Sequence, residues 1–248
     1  MALQLNLEKA QASLKLCLDK AGINTPPAVE LAFVLDVSGS FEDEHRAGIT
    51  STLLSRLIPW GLTFDPDQRL DVITFSNGET AVTHVGQVDA SNYSDFLEKR
   101  VIGRVPGWGG GTDYSFALEM ALQTFGWIAP PVEQPGFLAR LFGAKPRRQQ
   151  ALAHRRSLVI FVTDGENFDE KRTQAVLRAT QARQDGVYFL FLGISNQKTP
   201  FNFLKKIQTE FSNTGFLQID KLKEFVNQSD DALNQAFLTA ELSAWLKS

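Results

Sequence analysis

The sequence predicts an α/β fold: a three-layer, doubly wound, mainly parallel sheet with helices on both faces and further helices at both ends of the chain. Three observations predict it. Two apolar runs, residues 31–35 and 158–162, lack the polar alternation of a half-exposed strand and so read as strands buried on both faces. Strand-like and helix-like segments alternate through most of the chain, which requires right-handed βαβ crossovers. Each of the two runs also ends in a polar cluster containing an aspartate, Asp36 or Asp164, as strands do at the edge where an open α/β sheet receives ligands.

Leu7, Ala10, Leu14 and Cys17 or Leu18 recur at helical spacing over 6–20, and Gly22 with Pro26-Pro27 stops the helix. A strand over 30–35 leads into the Asp36 loop. Glu42, Asp43 and Glu44 then open a helix whose positive amino end suits acids, with Ile49, Leu53, Leu57 and Trp60 on its buried face. The Asp65-Pro66-Asp67 turn gives way to a second strand over 70–75 and a short third over 80–85. A short helix over 91–100 precedes a glycine-rich loop over 106–113, and a helix over 114–125 offers Phe116, Met120 and Phe125 to the core.

Residues 129–150 hold four prolines together with Arg140, Lys145, Arg147 and Arg148, and read as an excursion from the core. Strand 157–163, helix 170–184, strand 187–194, helix 201–211 and strand 215–219 follow, and a helical tail runs over 221–246. The expected organisation is an N-terminal helix and linker over 1–28 packed on one domain over 29–248. That domain carries a Pro/Gly/basic insert at about 129–156.

A formal net charge of −3 gives no support to nucleic acid as a partner. Cys17 is the only cysteine, which excludes an internal disulfide and a cysteine-based zinc site and suits a reducing compartment. Its leucine neighbours make it a buried thiol rather than a nucleophile. The first residues lack the basic cluster and apolar core of a secretory signal, and no window approaches the roughly 20 apolar residues of a membrane span. A cytoplasmic protein without a membrane span is expected.

Asp36, Ser38 and Ser40 alternate along one loop, and Thr112 and Asp164 fall on loops at the same rim of the sheet. Any of the first three could cap a helix, yet three such residues within five, matched by two further loops, favour an ion. Neutral hydroxyls mixed with two carboxylates suit a small octahedral cation that keeps some water, so Mg2+ is expected, with Mn2+ or Ca2+ as alternatives. Few direct carboxylates leave such an ion underneutralised and attract an acidic group from outside.

Gly109-Gly110-Gly111 is not a phosphate loop, since no Gly-Lys-Ser/Thr follows; the glycines would let the backbone approach the ion. Asp113 either caps the next helix or supports Thr112. Glu166 reads as a helix-start acid, and His45, His84 and His154 as surface or partly buried side chains without an acid or nucleophile in triad arrangement. The basic residues Arg140, Lys145, Arg147, Arg148, Arg155 and Arg156 read as solvated loop charges. No catalytic residue emerges.

Asp36-Val37-Ser38-Gly39-Ser40, Gly110-Gly111-Thr112-Asp113 and Thr163-Asp164-Gly165-Glu166 resemble, in order, the metal-ion-dependent adhesion site of von Willebrand factor type A (vWA) domains. The resemblance implies that Ser38 and Ser40 bind the ion directly, that Thr112 does so directly or through water, and that Asp36 and Asp164 act mostly through bound waters. The chain is further similar to the bacterial TerF-like group associated with tellurium resistance. That similarity rests on Leu70-Asp71-Val72-Ile73-Thr74-Phe75-Ser76-Asn77, the basic insert containing Phe142-Gly143 before the Thr163-Asp164-Gly165-Glu166 strand, Phe201-Asn202-Phe203-Leu204-Lys205-Lys206-Ile207 and Glu241-Leu242-Ser243-Ala244-Trp245-Leu246. Phe41, where many relatives carry Met, departs from the pattern in packing rather than coordination.

The resemblance implies a divalent-metal-dependent protein-interaction module whose partner supplies an Asp or Glu to the metal. The partners would include other Ter-family proteins, in a tellurite, chemical-stress or phage-defence assembly. An enzyme of the phosphohydrolase type is the first alternative, weakened because Ser38 stands where its second acid would be. The second is a structural metal clamp with the basic insert as the working surface.

Overall fold

The computed structural model describes residues 2–129, 154–195 and 198–248. Among them, six strands form one sheet: β1 (Glu30–Asp36), β2 (Leu70–Phe75), β3 (Thr83–Val88), β4 (Ser157–Thr163), β5 (Val187–Ile194) and β6 (Thr214–Ile219), in the order β3-β2-β1-β4-β5-β6. All neighbours run parallel except β2 and β3, which makes β3 an antiparallel edge. The doubly wound architecture read from the sequence is the one observed.

The unbroken apolar runs fulfil their physical requirement. Leu31, Phe33 and Leu35 of β1 enter one core, while Ala32 and Val34 enter the other, so β1 is covered on both faces. The first core is closed by α1 (Ala2–Lys20), α3 (Ile49–Phe64), α4 (Phe96–Arg100) and the C-terminal helices α8 (Leu222–Val226), α9 (Asp230–Phe237) and α10 (Ala240–Lys247). The second is closed by α5 (Ser115–Thr124), α6 (Glu170–Arg183) and α7 (Asn202–Glu210). Leu14 and Leu18 seat α1 in the first core, and Cys17 is buried beside them.

Several boundaries differ from the sequence reading. Left-handed Gly48 (φ 71°) splits the expected long helix into α2 (Glu42–Arg46) and α3. A tight turn at Glu79–Ala81 pushes the third strand from 80–85 to Thr83–Val88, and the helix at 91–100 shrinks to Phe96–Arg100. The C-terminal tail is three helices rather than one. Ser229 accepts from the Ala232 backbone N–H and Thr239 from that of Leu242, both at 3.2 Å, so each starts a new helix where continuity was expected.

Most of the insert expected at 129–156, residues 130–153, lies outside the described residues. No helix among the described residues is long and apolar enough to cross a membrane.

Candidate metal centre

The chain leaves β1 for β2 on one side and later returns to β4 on the other, so the carboxyl end of β1 is the switch point of the sheet. Asp36 ends β1 and Asp164 immediately follows β4. Pairing of β1 with β4, with Leu35 opposite Val162, sets the two loops side by side. Ser38 Oγ lies 3.3 Å from Ser40 Oγ, Ser40 Oγ donates to Asp164 Oδ1 at 2.9 Å, and Ser38 Oγ lies 3.5 Å from the same oxygen. Ser38 and Asp164 are buried, and Ser40 is the exposed member.

Asp36 is fully buried and organises the loop that follows it. Its Oδ1 accepts the Ser38 backbone N–H at 2.8 Å and its Oδ2 accepts the Thr163 hydroxyl at 2.6 Å. Capping of this loop and a place beside an ion therefore coexist in one residue.

Thr112 arrives on the glycine-rich loop, which is laced to the first. Gly109 N–H donates to the Val37 carbonyl at 2.8 Å and Gly39 N–H to the Gly110 carbonyl at 3.0 Å. A side chain on Gly110 would meet Asn77 Oδ1 at 2.5 Å, the atom that accepts the Gly111 N–H. The close approach at Gly110 is thus to Asn77, where an approach to the ion was expected. Asp113 neither caps α5 nor holds Thr112; it accepts the Gly78 N–H at 2.8 Å, tying this loop to the end of β2.

The third loop lies along the second. Phe168 N–H donates to the Thr112 carbonyl at 3.0 Å, and the Tyr114 hydroxyl donates to the Gly165 carbonyl at 2.6 Å. Asn167 Oδ1 and Asp169 Oδ1 both accept the Tyr114 N–H at 3.1 Å, and Asp169 Oδ2 accepts the Ser115 N–H at 3.3 Å and the Ser115 hydroxyl. Asp169 thereby caps α5 from another segment of the chain. A Cβ on Gly165 would sit 2.9 Å from Thr112 Oγ1, so glycine at this position lets the Thr112 side chain lie against the backbone that follows Asp164.

Burial governs the electrostatics. It lifts the Asp36 carboxyl from 3.8 to about 7 against the hydrogen bonds of Ser38 and Thr163, and lifts Asp164 to about 6 against the Ser40 hydrogen bond, with the negative charge of Glu44 adding to the rise. No Lys or Arg is among the groups that shift either acid. A divalent cation would supply the missing positive charge.

The spacing agrees. Cis oxygens around an octahedral Mg2+ at 2.0–2.1 Å lie about 3 Å apart, and the Ser38 and Ser40 hydroxyl oxygens, the two expected direct donors, are 3.3 Å apart with Asp164 Oδ1 2.9 Å from Ser40 Oγ and 3.5 Å from Ser38 Oγ. No three His, Cys, Asp or Glu side chains among the described residues cluster as a metal set, as expected where hydroxyls are the main donors. The residues present fit a small hard cation.

Sequence reasoning missed several supporting residues. His45, expected at or near the surface, is fully buried, with Nε2 2.8 Å from the Asp36 carbonyl and Nδ1 2.9 Å from Thr50 Oγ1. A carbonyl only accepts, so Nε2 carries the proton and Nδ1 accepts from Thr50. Burial lowers the His45 pKa to about 4 and keeps the ring neutral. Thr163 was visible in the motif but not as the partner of Asp36.

His84, read as lacking an acid beside it, lies 2.6 Å from Asp71 across β2 and β3, away from the candidate centre. His154 stacks on Trp127. Glu166 serves a helix start, although that of α7: its Oε1 accepts the Asn202 N–H at 3.0 Å. Of the basic residues read as solvated, Arg155 pairs with Glu30 at 3.3 Å and Arg156 covers the Trp245 ring at 4.2 Å. Arg140, Lys145, Arg147 and Arg148 lie outside the described residues.

Comparison with known proteins gives a consistent picture of the fold. The family model vWA-TerF-like, described as the vWA found in the TerF C terminus, matches residues 28–136 and 144–248. The uncharacterized protein YcbR of Bacillus subtilis (strain 168) is 25% identical over 245 residues, covering 97% of this chain and 86% of that protein. A crystal structure of proximal thread matrix protein 1 from the mussel byssus, crystal form 2, is similar with a TM-score of 0.52 at 16% identity, covering 85% of this chain and 48% of that one. The same mussel protein with a zinc-occupied MIDAS motif gives a TM-score of 0.49 at 19% identity over 86% of this chain and 46% of that one. The chain thus spans about half the length of these solved structures.

Proposed function

Since the chain belongs to the vWA-TerF-like family, we propose that it is a divalent-metal-dependent protein-binding module rather than an enzyme. Ser38, Ser40 and Thr112 would hold the cation with Asp36 and Asp164 behind them. Mg2+ is the expected ion, because three of the five groups are hydroxyls. A bound cation supplies a Lewis-acidic position for a carboxylate oxygen from a partner's Asp or Glu.

The observation that carries this reading is the convergence of Ser38 Oγ, Ser40 Oγ and Asp164 Oδ1 within 2.9–3.5 Å at the sheet's switch point. The protein's own residues do the rest. Asp36 holds the Ser38 backbone, Thr163 orients Asp36, and His45 fixes the Asp36 carbonyl. Residues 29–248 form the vWA domain in this reading, with 1–28 as a helix and linker whose Leu14 and Leu18 are sunk in the core.

Nothing in the site asks for catalysis. A phosphohydrolase would need a second acid where Ser38 stands, and the histidine behind the loop is buried, neutral and bonded to a backbone carbonyl. The family suggests partners among other Ter proteins in a cytoplasmic, stress-related assembly.

The test is affinity purification from host extract in Mg2+ or EDTA, with Mg2+ titrated calorimetrically into the stripped protein. Ser38→Ala and Asp164→Ala should abolish both Mg2+ binding and Mg2+-dependent capture while leaving circular dichroism unchanged. Capture that survives both EDTA and Ser38→Ala overturns the reading.

A further inference from the structure

Among the described residues, two large apolar side chains are well exposed, Leu16 at 48% and Phe168 at 75%. A single exposed apolar residue ordinarily needs no explanation. Phe168 differs in its position and in how it is held. Its N–H donates to the carbonyl of Thr112, and its ring lies against Gly111, where an added Cβ would be 3.3 Å from ring carbon Cε2. The ring therefore stands on the same rim as the candidate metal donors, one residue away from Thr112.

The segment that carries it is also rigid by construction. Asn167 and Asp169, its two chain neighbours, are both hydrogen-bonded to the Tyr114 N–H, and Asn167 donates to Thr173 at 2.8 Å. Gly165 is fixed by the Tyr114 hydroxyl. An aromatic ring projecting from a backbone already ordered loses little conformational freedom on association, and such rings are favoured interface anchors.

Charge narrows what can dock beside it. Glu42, Asp43 and Glu44 begin just beyond Ser40, with Phe41 between, and open the helix that leads away from the candidate donors. Glu170 is exposed two residues beyond Phe168. A ligand rich in acids would be repelled by this rim, whereas a single carboxylate has the cation to meet it.

We propose that Phe168 is an affinity and specificity anchor for the partner: the docking protein presents one Asp or Glu to the metal and, beside it, an apolar side chain or cleft that covers the Phe168 ring. This inference rests on the metal-dependent binding reading and names the chemistry of its partner.

The test is a phage-displayed library of random heptapeptides with a central Asp, selected against the full chain in Mg2+ and in EDTA. Wild type should enrich, in Mg2+ only, sequences with an apolar residue within two positions of the Asp and with second acids depleted. Phe168→Ala should keep the Mg2+-dependent selection but lose the apolar preference. The wild-type-selected peptide should bind it about tenfold more weakly, the scale of losing an aromatic anchor, with Mg2+ affinity unchanged. Phe168→Leu should retain the apolar preference.

Identical selection and affinity in wild type and Phe168→Ala overturn the inference while leaving metal-dependent binding standing. If wild type selects no better in Mg2+ than Ser38→Ala does, the metal-dependent reading fails and the anchor fails with it.

Discussion

His45 Nε2 donates to the backbone carbonyl of Asp36 at 2.8 Å, so the residue that starts the candidate site is held from behind by a neutral, buried imidazole. The contact reaches across nine residues and uses the main chain, leaving both Asp36 carboxylate oxygens for Ser38 and Thr163. Phe41 and Trp108 pack on the ring with centroids 4.9 and 5.2 Å away and keep water from the bond.

Replacing His45 with Ala should therefore cost more than its volume. It leaves a buried carbonyl and the Thr50 hydroxyl without their partner, a penalty of about 1–3 kcal/mol on top of the cavity. Urea unfolding should show the loss, and Mg2+ affinity should fall. His45→Gln, whose amide N–H2 can stand in for Nε2–H, should recover part of both. Wild-type Mg2+ affinity in His45→Ala would mean that this bond does not position the loop.

Gly165→Ala separates site geometry from backbone strain. Gly165 does not adopt a left-handed conformation, so alanine suits its backbone; the obstacle is Thr112 Oγ1 at 2.9 Å from the new Cβ. The loops bearing Thr112 and Asp164 should part by a few tenths of an ångström. Mg2+ affinity measured by calorimetry should drop about tenfold, while the thermal midpoint moves by only a few degrees. Equal affinity in the two proteins would remove Thr112 from the donor set.

These two positions also show what the sequence could and could not tell. Asp36, Ser38, Ser40, Thr112 and Asp164 are conspicuous because Asp36 and Asp164 close two otherwise apolar runs and the three hydroxyls fall on loops at the same rim, more capping-type residues than the helix starts there need. The strands over 157–163 and 187–194 are equally plain, since β4 and β5 are apolar on both faces. His45 is opaque because its partner is a main-chain carbonyl, which no side-chain pattern marks. Asp169 is opaque because the helix it caps begins 54 residues earlier. The breaks at Ser229 and Thr239 were hidden for another reason: apolar periodicity continues through them, and a cap residue inside a periodic stretch reads as an ordinary polar position.

Asp169→Asn tests the trans cap. Asp169 Oδ1 accepts from Tyr114 N–H and Thr173 Oγ1, and Oδ2 from Ser115 N–H and its hydroxyl. An amide offers one acceptor oxygen, so its NH2 must face donors at the other position. Loss of a charge-assisted bond of this kind costs about 1.5–3 kcal/mol, which urea unfolding should register. Because the loops bearing Thr112 and Asp164 are laced through this carboxylate, Mg2+ affinity should weaken too. Unchanged stability would mean the cap contributes nothing.

Asp36→Asn tests whether a buried charge awaits a cation. Burial raises the Asp36 pKa from 3.8 to about 7, so between those values the folded state holds a proton that the unfolded state has released. The stability from this group is full below about pH 4 and is lost as pH rises through 7. His45, lowered to about 4 from 6.5, acts in the opposite direction between about pH 4 and 6.5, so wild type alone would blur the effect. The difference between Asp36→Asn and wild type isolates it. Asparagine keeps an acceptor for Ser38 N–H, and the Thr163 hydroxyl can turn to accept from its NH2. In EDTA the two proteins should therefore melt together near about pH 4, and the variant should melt higher by on the order of 5 °C near about pH 8. Excess Mg2+ should reverse the order at the higher pH, because it stabilises only the protein that offers the charge. A wild type that gains nothing from Mg2+ at either pH would show that these two carboxylates are buried for some other purpose.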